Sequence, residues 1–96
     1  MRVIARIIIP VDSGNRAIQE GTIGTLMRTA AEQWKPEAMY FTTFDGKRSA
    51  LIVFDLADPS DIPAFAEPFF SKLNAQVFLD PVMNAEDLRH GLSRLA

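Results

Sequence analysis

Between Glu37 and Leu56 the chain reads EAMYFTTFDGKRSALIVFDL, two apolar segments rich in strand-forming residues joined at Asp45-Gly46. No other stretch constrains the fold so tightly. A two-residue type I′ turn needs positive φ at both central positions, which Asp and Gly tolerate, so Asp-Gly between apolar runs predicts a β-hairpin. The turn then dictates a register. Phe44 stands opposite Lys47, Thr42 opposite Ser49, Tyr40 opposite Leu51 and Ala38 opposite Val53 on one face of the sheet. Thr43 with Arg48, Phe41 with Ala50 and Met39 with Ile52 fall on the other. A three-residue loop through Lys47 would slip this pairing and exchange the faces of one strand.

The second strand of the hairpin, Ala50 to Phe54, and the opening run from Val3 to Ile9 do not alternate between apolar and polar residues. That pattern belongs to strands covered on both faces. Pro10 to Asn15 reads as a loop in which Ser13 or Asn15 caps the next helix. From Arg16 to Trp34 the positions Ile18, Ile23, Leu26, Met27, Ala30, Ala31 and Trp34 recur at helical spacing. Gly21 and Gly24 weaken that helix. Either they let it lie close on the sheet, or its regular part starts only near Thr22. Asp58 before Pro59 carries capping chemistry, and Ile62, Phe65, Ala66, Phe69, Phe70 and Leu73 form a second amphipathic helix. Pro63 fits only its first turn, and Pro68 is expected to kink or restart it. Ala75 to Leu79 is the last strand. Asn84-Ala-Glu-Asp87 then caps a terminal helix with the stripe Leu88, Leu92 and Leu95.

The order of elements is that of an α+β, ferredoxin-like βαββαβ domain with a C-terminal helix and a four-stranded antiparallel sheet. Right-handed crossovers place the first and third strands in the middle, and these are the two whose composition demands cover on both faces. Ninety-six residues make one domain, 1–96, with one modest core. In this topology both long helices lie on one face of the sheet. The other face then exposes Ile, Leu and Val on central strands, a larger patch than a soluble monomer carries. A second copy of the chain, sheet against sheet about a two-fold axis, is the economical cover, so a homodimer is expected.

The strand order, the short length and the doubly apolar sheet resemble the dimeric α/β-barrel superfamily. The segment EPFFSKLNAQVFLDPVMNAEDL, with its aromatic helix end, short strand, Pro-Val and acidic cap, resembles small uncharacterised bacterial members of it. The resemblance implies a dimeric α/β barrel with a cleft between sheet and helices in each subunit. It leaves the chemistry open, because the superfamily includes cofactor-free quinol monooxygenases, haem-degrading enzymes, muconolactone isomerase-like enzymes and members with no known reaction.

Composition removes several classes. A formal charge of −2 and a pI near 5.2 argue against a nucleic-acid partner, since phosphate binding needs concentrated Lys and Arg. The close basic pair Lys47-Arg48 reads as a solvated turn. There is no cysteine, so disulfides, thiolate metal sites and cysteine nucleophiles are excluded. With one histidine, neither a zinc nor a non-haem iron site is expected, and no cofactor is assigned. The N-terminal run is interrupted by Arg6, is too short to span a membrane and lacks a signal cleavage pattern, so a cytoplasmic protein without a membrane partner is expected.

Arg6 is the most unusual residue, a cation inside an apolar run that should be a central strand. Alternation groups it with Tyr40, Thr42, Ser49 and Gln76, the more polar set. Functionally, Arg6 would fix a carboxylate or enolate-like oxygen with Tyr40 donating a hydrogen bond. Structurally, it would be ion-paired with an Asp or Glu. His90 would be a general base or, by the resemblance, a haem ligand; structurally, it is an exposed residue of a short helix. Trp34, Phe65, Phe69 and Phe70 either line a pocket or form core. The leading expectation is a dimer that binds a small apolar or aromatic molecule in its sheet–helix cleft. One alternative is a cofactor-independent monooxygenase or isomerase acting on a quinol-like or lactone-like substrate through Arg6, Tyr40 or His90. The other is an assembly or regulatory module, whose cleft would be filled by Phe side chains.

Overall fold

A computed structural model describes residues 1–95 as an α+β fold. In chain order the elements are β1 (Arg2–Ile9), α1 (Val11–Gln19), α2 (Thr22–Trp34), β2 (Ala38–Phe44), β3 (Lys47–Asp55), α3 (Ile62–Leu73), β4 (Gln76–Pro81) and α4 (Ala85–Leu92). A 3₁₀ turn at Pro59–Asp61 leads into α3, and another at Ser93–Leu95 follows α4. The strands form a four-stranded antiparallel sheet in the order β2-β3-β1-β4, compatible with a ferredoxin-like fold.

The hairpin has the register that Asp45-Gly46 dictates, from Phe44 opposite Lys47 to Ala38 opposite Val53. Both turn residues have positive φ, 52° at Asp45 and 75° at Gly46, as a type I′ turn requires. The strands β1 and β3 lie in the middle of the sheet, where their mainly apolar, non-alternating composition belongs. On one face Val3, Ala5, Ile7 and Ile9 of β1 meet Ala50, Ile52 and Phe54 of β3, all buried. They pack against Ala17 of α1, Leu26, Met27 and Ala30 of α2, and Phe65, Ala66, Phe69 and Leu73 of α3. Each large apolar side chain buried there contributes roughly 1.5–3 kcal/mol relative to exposure. The three helices therefore cover one side of the sheet.

An aromatic cluster fills the core beneath α2 and α3. The Phe54 and Phe65 rings stack with centroids 4.4 Å apart, Trp34 lies 5.6 Å from each, and Phe69 lies 5.4 Å from Phe65. Trp34, Phe65 and Phe69 are thus core residues, while the Phe70 side chain is exposed.

The segment after β1 differs from the loop expected there. Helix begins at Val11, directly after Pro10, whose ring leaves the preceding backbone extended and whose missing N–H is no loss at a helix start. The inner face of α1 carries Ser13, Gly14 and Ala17, small residues that give no apolar periodicity. Ser13 does not cap the helix. Its hydroxyl donates to the Leu73 carbonyl at 2.6 Å, tying α1 to the end of α3. Gly21, at φ 76°, separates α1 from α2, so the regular helix does start at Thr22. Gly24 has no neighbour within 4 Å of a Cβ position and mediates no close approach to the sheet. The α3 helix continues through Pro68 as one element, with Pro63 in its first turn.

Candidate functional site

At the end of the domain away from the aromatic cluster, the helix layer stops short of the edge strand. Phe41 of β2 shares the helix-facing side with Ala50 of β3, yet it is 61% exposed. The turn at Gly21 redirects the chain so that Ile18, near the end of α1, and Ile23 and Met27 of α2 stand across from it. Together with Ile9 and Ala50 these residues bound a cleft of about 380 Å³. Its walls are almost wholly apolar, and small-molecule sites have this character, with a few polar groups fixing orientation.

The polar group here is Arg48. Alternation along β3 places residue 48 on the same face as Ala50 and Ile52, towards the helices. Its Nη2 donates to Asn15 Oδ1 at 3.0 Å, and Nη1 reaches the Val11 carbonyl at 3.5 Å. It passes over Gly14, where a side chain would collide with it. Among the described residues no carboxylate lies within ion-pair distance of Arg48. A half-buried guanidinium held by neutral acceptors beside an apolar cleft retains its capacity to bind an anion. Sequence reading grouped Arg48 with Lys47 as a solvated turn. Lys47 does sit at the tip, 3.5 Å from the Asp45 carboxylate, but Arg48 is one residue further and on the other face. The hairpin register was the signal that identifies it, since it pairs Arg48 with Thr43 on the side of Phe41 and Met39.

The residues singled out by alternation lie on the opposite face. Arg6 pairs with Leu51, which pairs with Tyr40, so a full strand separates Arg6 from Tyr40. Ile8 lies between Ser49 and Gln76, and Thr42 pairs with Ser49. All five candidates therefore share the open face. Thr42 and Ser49 also border the cleft, although alternation turns their side chains away from it. Tyr40 is 67% exposed, whereas Ser49 is buried and its hydroxyl has no hydrogen-bond partner. Arg6 makes no ion pair with any described carboxylate. Instead its guanidinium carbon lies 4.3 Å from the centre of the Phe44 ring, a cation–π contact. Phe44, Phe78, Ile8 and Asp80 surround it in a shallow depression of about 270 Å³. His90 is exposed on α4 and belongs to neither group; its carbonyl accepts a hydrogen bond from Ser93 Oγ.

A larger concavity, about 770 Å³, lies at the base of α4 between Met1, Arg2, Glu37, Asp55, Pro81, Val82, Met83 and Asp87. Its charged groups already satisfy one another. Arg2 bonds Glu37 at 2.5 Å and Asp87 at 2.7 Å, and the N-terminal amine bonds Asp55 at 2.7 Å. The Glu37 hydrogen bond, with help from Asp87, holds the Arg2 guanidinium above its ordinary pKa. This notch is an ion-paired joint, and the smaller Arg48 cleft is the better candidate site.

No family model matches the chain, and no curated protein matches it. Fold and site together define a small α+β protein with an open sheet face and an apolar cleft edged by one arginine. No described helix is long and apolar enough to cross a membrane.

Proposed function

We propose that residues 1–96 act as a single ferredoxin-like domain of a dimeric α/β barrel, and that each subunit binds a small apolar or aromatic molecule bearing an anionic group. The apolar body occupies the cleft between Phe41, Ile18, Ile23 and Met27, and the anion meets Arg48. The observation that carries this reading is the uncountered Arg48 guanidinium at an apolar cleft, braced by Asn15. Dimerisation is supported by the open face, where Tyr40, Phe44 and Phe78 are exposed beside half-buried Ile4, Leu51 and Val53.

A panel of aromatic and medium-chain carboxylates, each with its neutral amide, tests the ligand reading by thermal unfolding. A ligand that binds only the folded state raises the melting temperature. Acids should stabilise the protein more than their amides, and Arg48→Met should abolish that difference. If no acid shifts the transition, or the variant responds as the parent does, the assignment fails. Light scattering tests the dimer, and Val53→Asp on the open face should shift it to a folded monomer.

A further inference from the structure

The C-terminal segment Asn84–Leu95 is built as an ordered arm without a bed. Its helix is well begun, because Asn84 Oδ1 accepts from the Asp87 amide at 2.8 Å and Asp87 Oδ2 accepts from the Asn84 amide at 3.1 Å, a complete capping box. Yet Leu88, Leu92 and Leu95, one helical stripe, are 46%, 55% and 78% exposed. So short a helix is marginal in water unless an apolar face is packed. The chain measures 54 × 27 × 18 Å, with a radius of gyration of 15.0 Å. A compact domain of this length has roughly 12–13 Å. The arm does not fold back over its own body.

One ion pair ties its start to the sheet. Arg2 belongs to the strand positions, with Ile4, Arg6 and Ile8, that face away from the helices. Its Nη1 bonds Asp87 Oδ2 at 2.7 Å, so the first turn of α4 is held at the end of the sheet by a residue of the open face. A second sheet packed there would lie about 10 Å away, beside the arm. The sheet contact alone is small. Four strands of this length present a flat footprint of roughly 400–500 Å², against about 800 Å² per partner in a typical stable interface. The face also carries both signs of charge, since neither Arg6 nor Asp80 is ion-paired among the described residues. A two-fold operation sets such a face against itself with opposite charges available to each other.

We infer that the arm Asn84–Leu95 crosses to a second copy of this chain and packs its Leu88, Leu92 and Leu95 stripe on that copy, reciprocally. The inference rests on the face-to-face dimer proposed above and adds the arm as its clasp. In the free chain these leucines support little, so changing them should alter assembly and leave the fold intact.

Two measurements on the full chain test it. In the first, Leu88→Asp with Leu92→Asp should weaken the dimer by roughly a hundredfold or more, as expected for unburying two leucines, while the amide signals of β1 to β4 keep their folded dispersion. In the second, Ser93→Cys, the sole cysteine, carries a nitroxide on unlabelled protein that is mixed with isotope-labelled parent protein. Amide signals of the labelled copies should broaden through the nitroxide on the other copy. If the parent protein is monomeric, the dimer reading and the clasp both fall. If the dimer persists, keeps its affinity in the double variant and leaves the amide signals of the labelled copies unbroadened, the clasp alone is overturned and the face-to-face dimer stands.

Discussion

Gly14 and Arg48 occupy one another's space: a Cβ at residue 14 would lie 2.5 Å from Arg48 Nη1 and 3.2 Å from Ile9 Cγ2. The nearer atom ends a flexible side chain that can swing aside, while alanine improves a helix interior by about 1 kcal/mol over glycine. Gly14→Ala should therefore leave urea-denaturation stability unchanged or slightly raised. It should also displace the guanidinium from Asn15, so that carboxylate ligands stabilise the variant no better than their amides.

The aromatic cluster carries stability at the other end of the domain. Phe65 stacks on Phe54 and touches Trp34 and Phe69, so Phe65→Ala should cost about 3–5 kcal/mol in chemical denaturation. Phe70, two-fifths exposed on the same helix, should lose far less on the same change.

At the hairpin tip Gly46 has φ 75°, a conformation that costs an L-residue roughly 1–2 kcal/mol. Gly46→Ala should reduce stability by about that amount, and amide exchange in β2 should accelerate more than in β1. Equal acceleration throughout the sheet would show that the strain is not absorbed locally.

Ahead of α3, the Asp58 carboxylate accepts hydrogen bonds from the Ser60 hydroxyl at 2.7 Å and the Ser60 amide at 2.9 Å, and both hold its pKa below the ordinary value. A depressed carboxyl stabilises the fold fully above its unfolded pKa, near about 4, and loses that contribution as pH falls through the folded value. Ser60→Ala removes the stronger donor. Melting temperatures of parent and variant should therefore differ at neutral pH and converge towards about pH 2; a constant gap would contradict the linkage.

Where a residue's conformation follows from its own chemistry, the sequence was readable. Asp45-Gly46 admits few turns, and the whole pairing of β2 with β3 follows. Right-handed crossovers, in agreement with the non-alternating, mainly apolar composition of β1 and β3, likewise placed both strands centrally. Helix α1 was not readable, because its buried positions Ser13, Gly14 and Ala17 are too small to mark a face, and the group that holds Ser13 is a distant carbonyl at Leu73. Arg48 was obscured by its neighbour Lys47, although parity alone separates them. For Arg6, sequence raised an ion pair, and only the fold reveals Phe44 beneath it. A cation over an aromatic ring leaves no signature at fixed spacing.

The turn at Asp45-Gly46 also has a kinetic meaning. It closes β2 on β3 across two residues, whereas β1 must find Arg48 through Asp55 on one side and Gln76 through Pro81 on the other, far along the chain. Loop-closure entropy makes the hairpin the early event and the long-range ladders the late ones. Although β1 precedes the hairpin in sequence, it is then seated after it, and until it arrives the free edge of β3 is open to any other extended strand. Pulsed amide labelling during refolding should find β2 and β3 protected before β1 and β4; simultaneous protection would contradict that order.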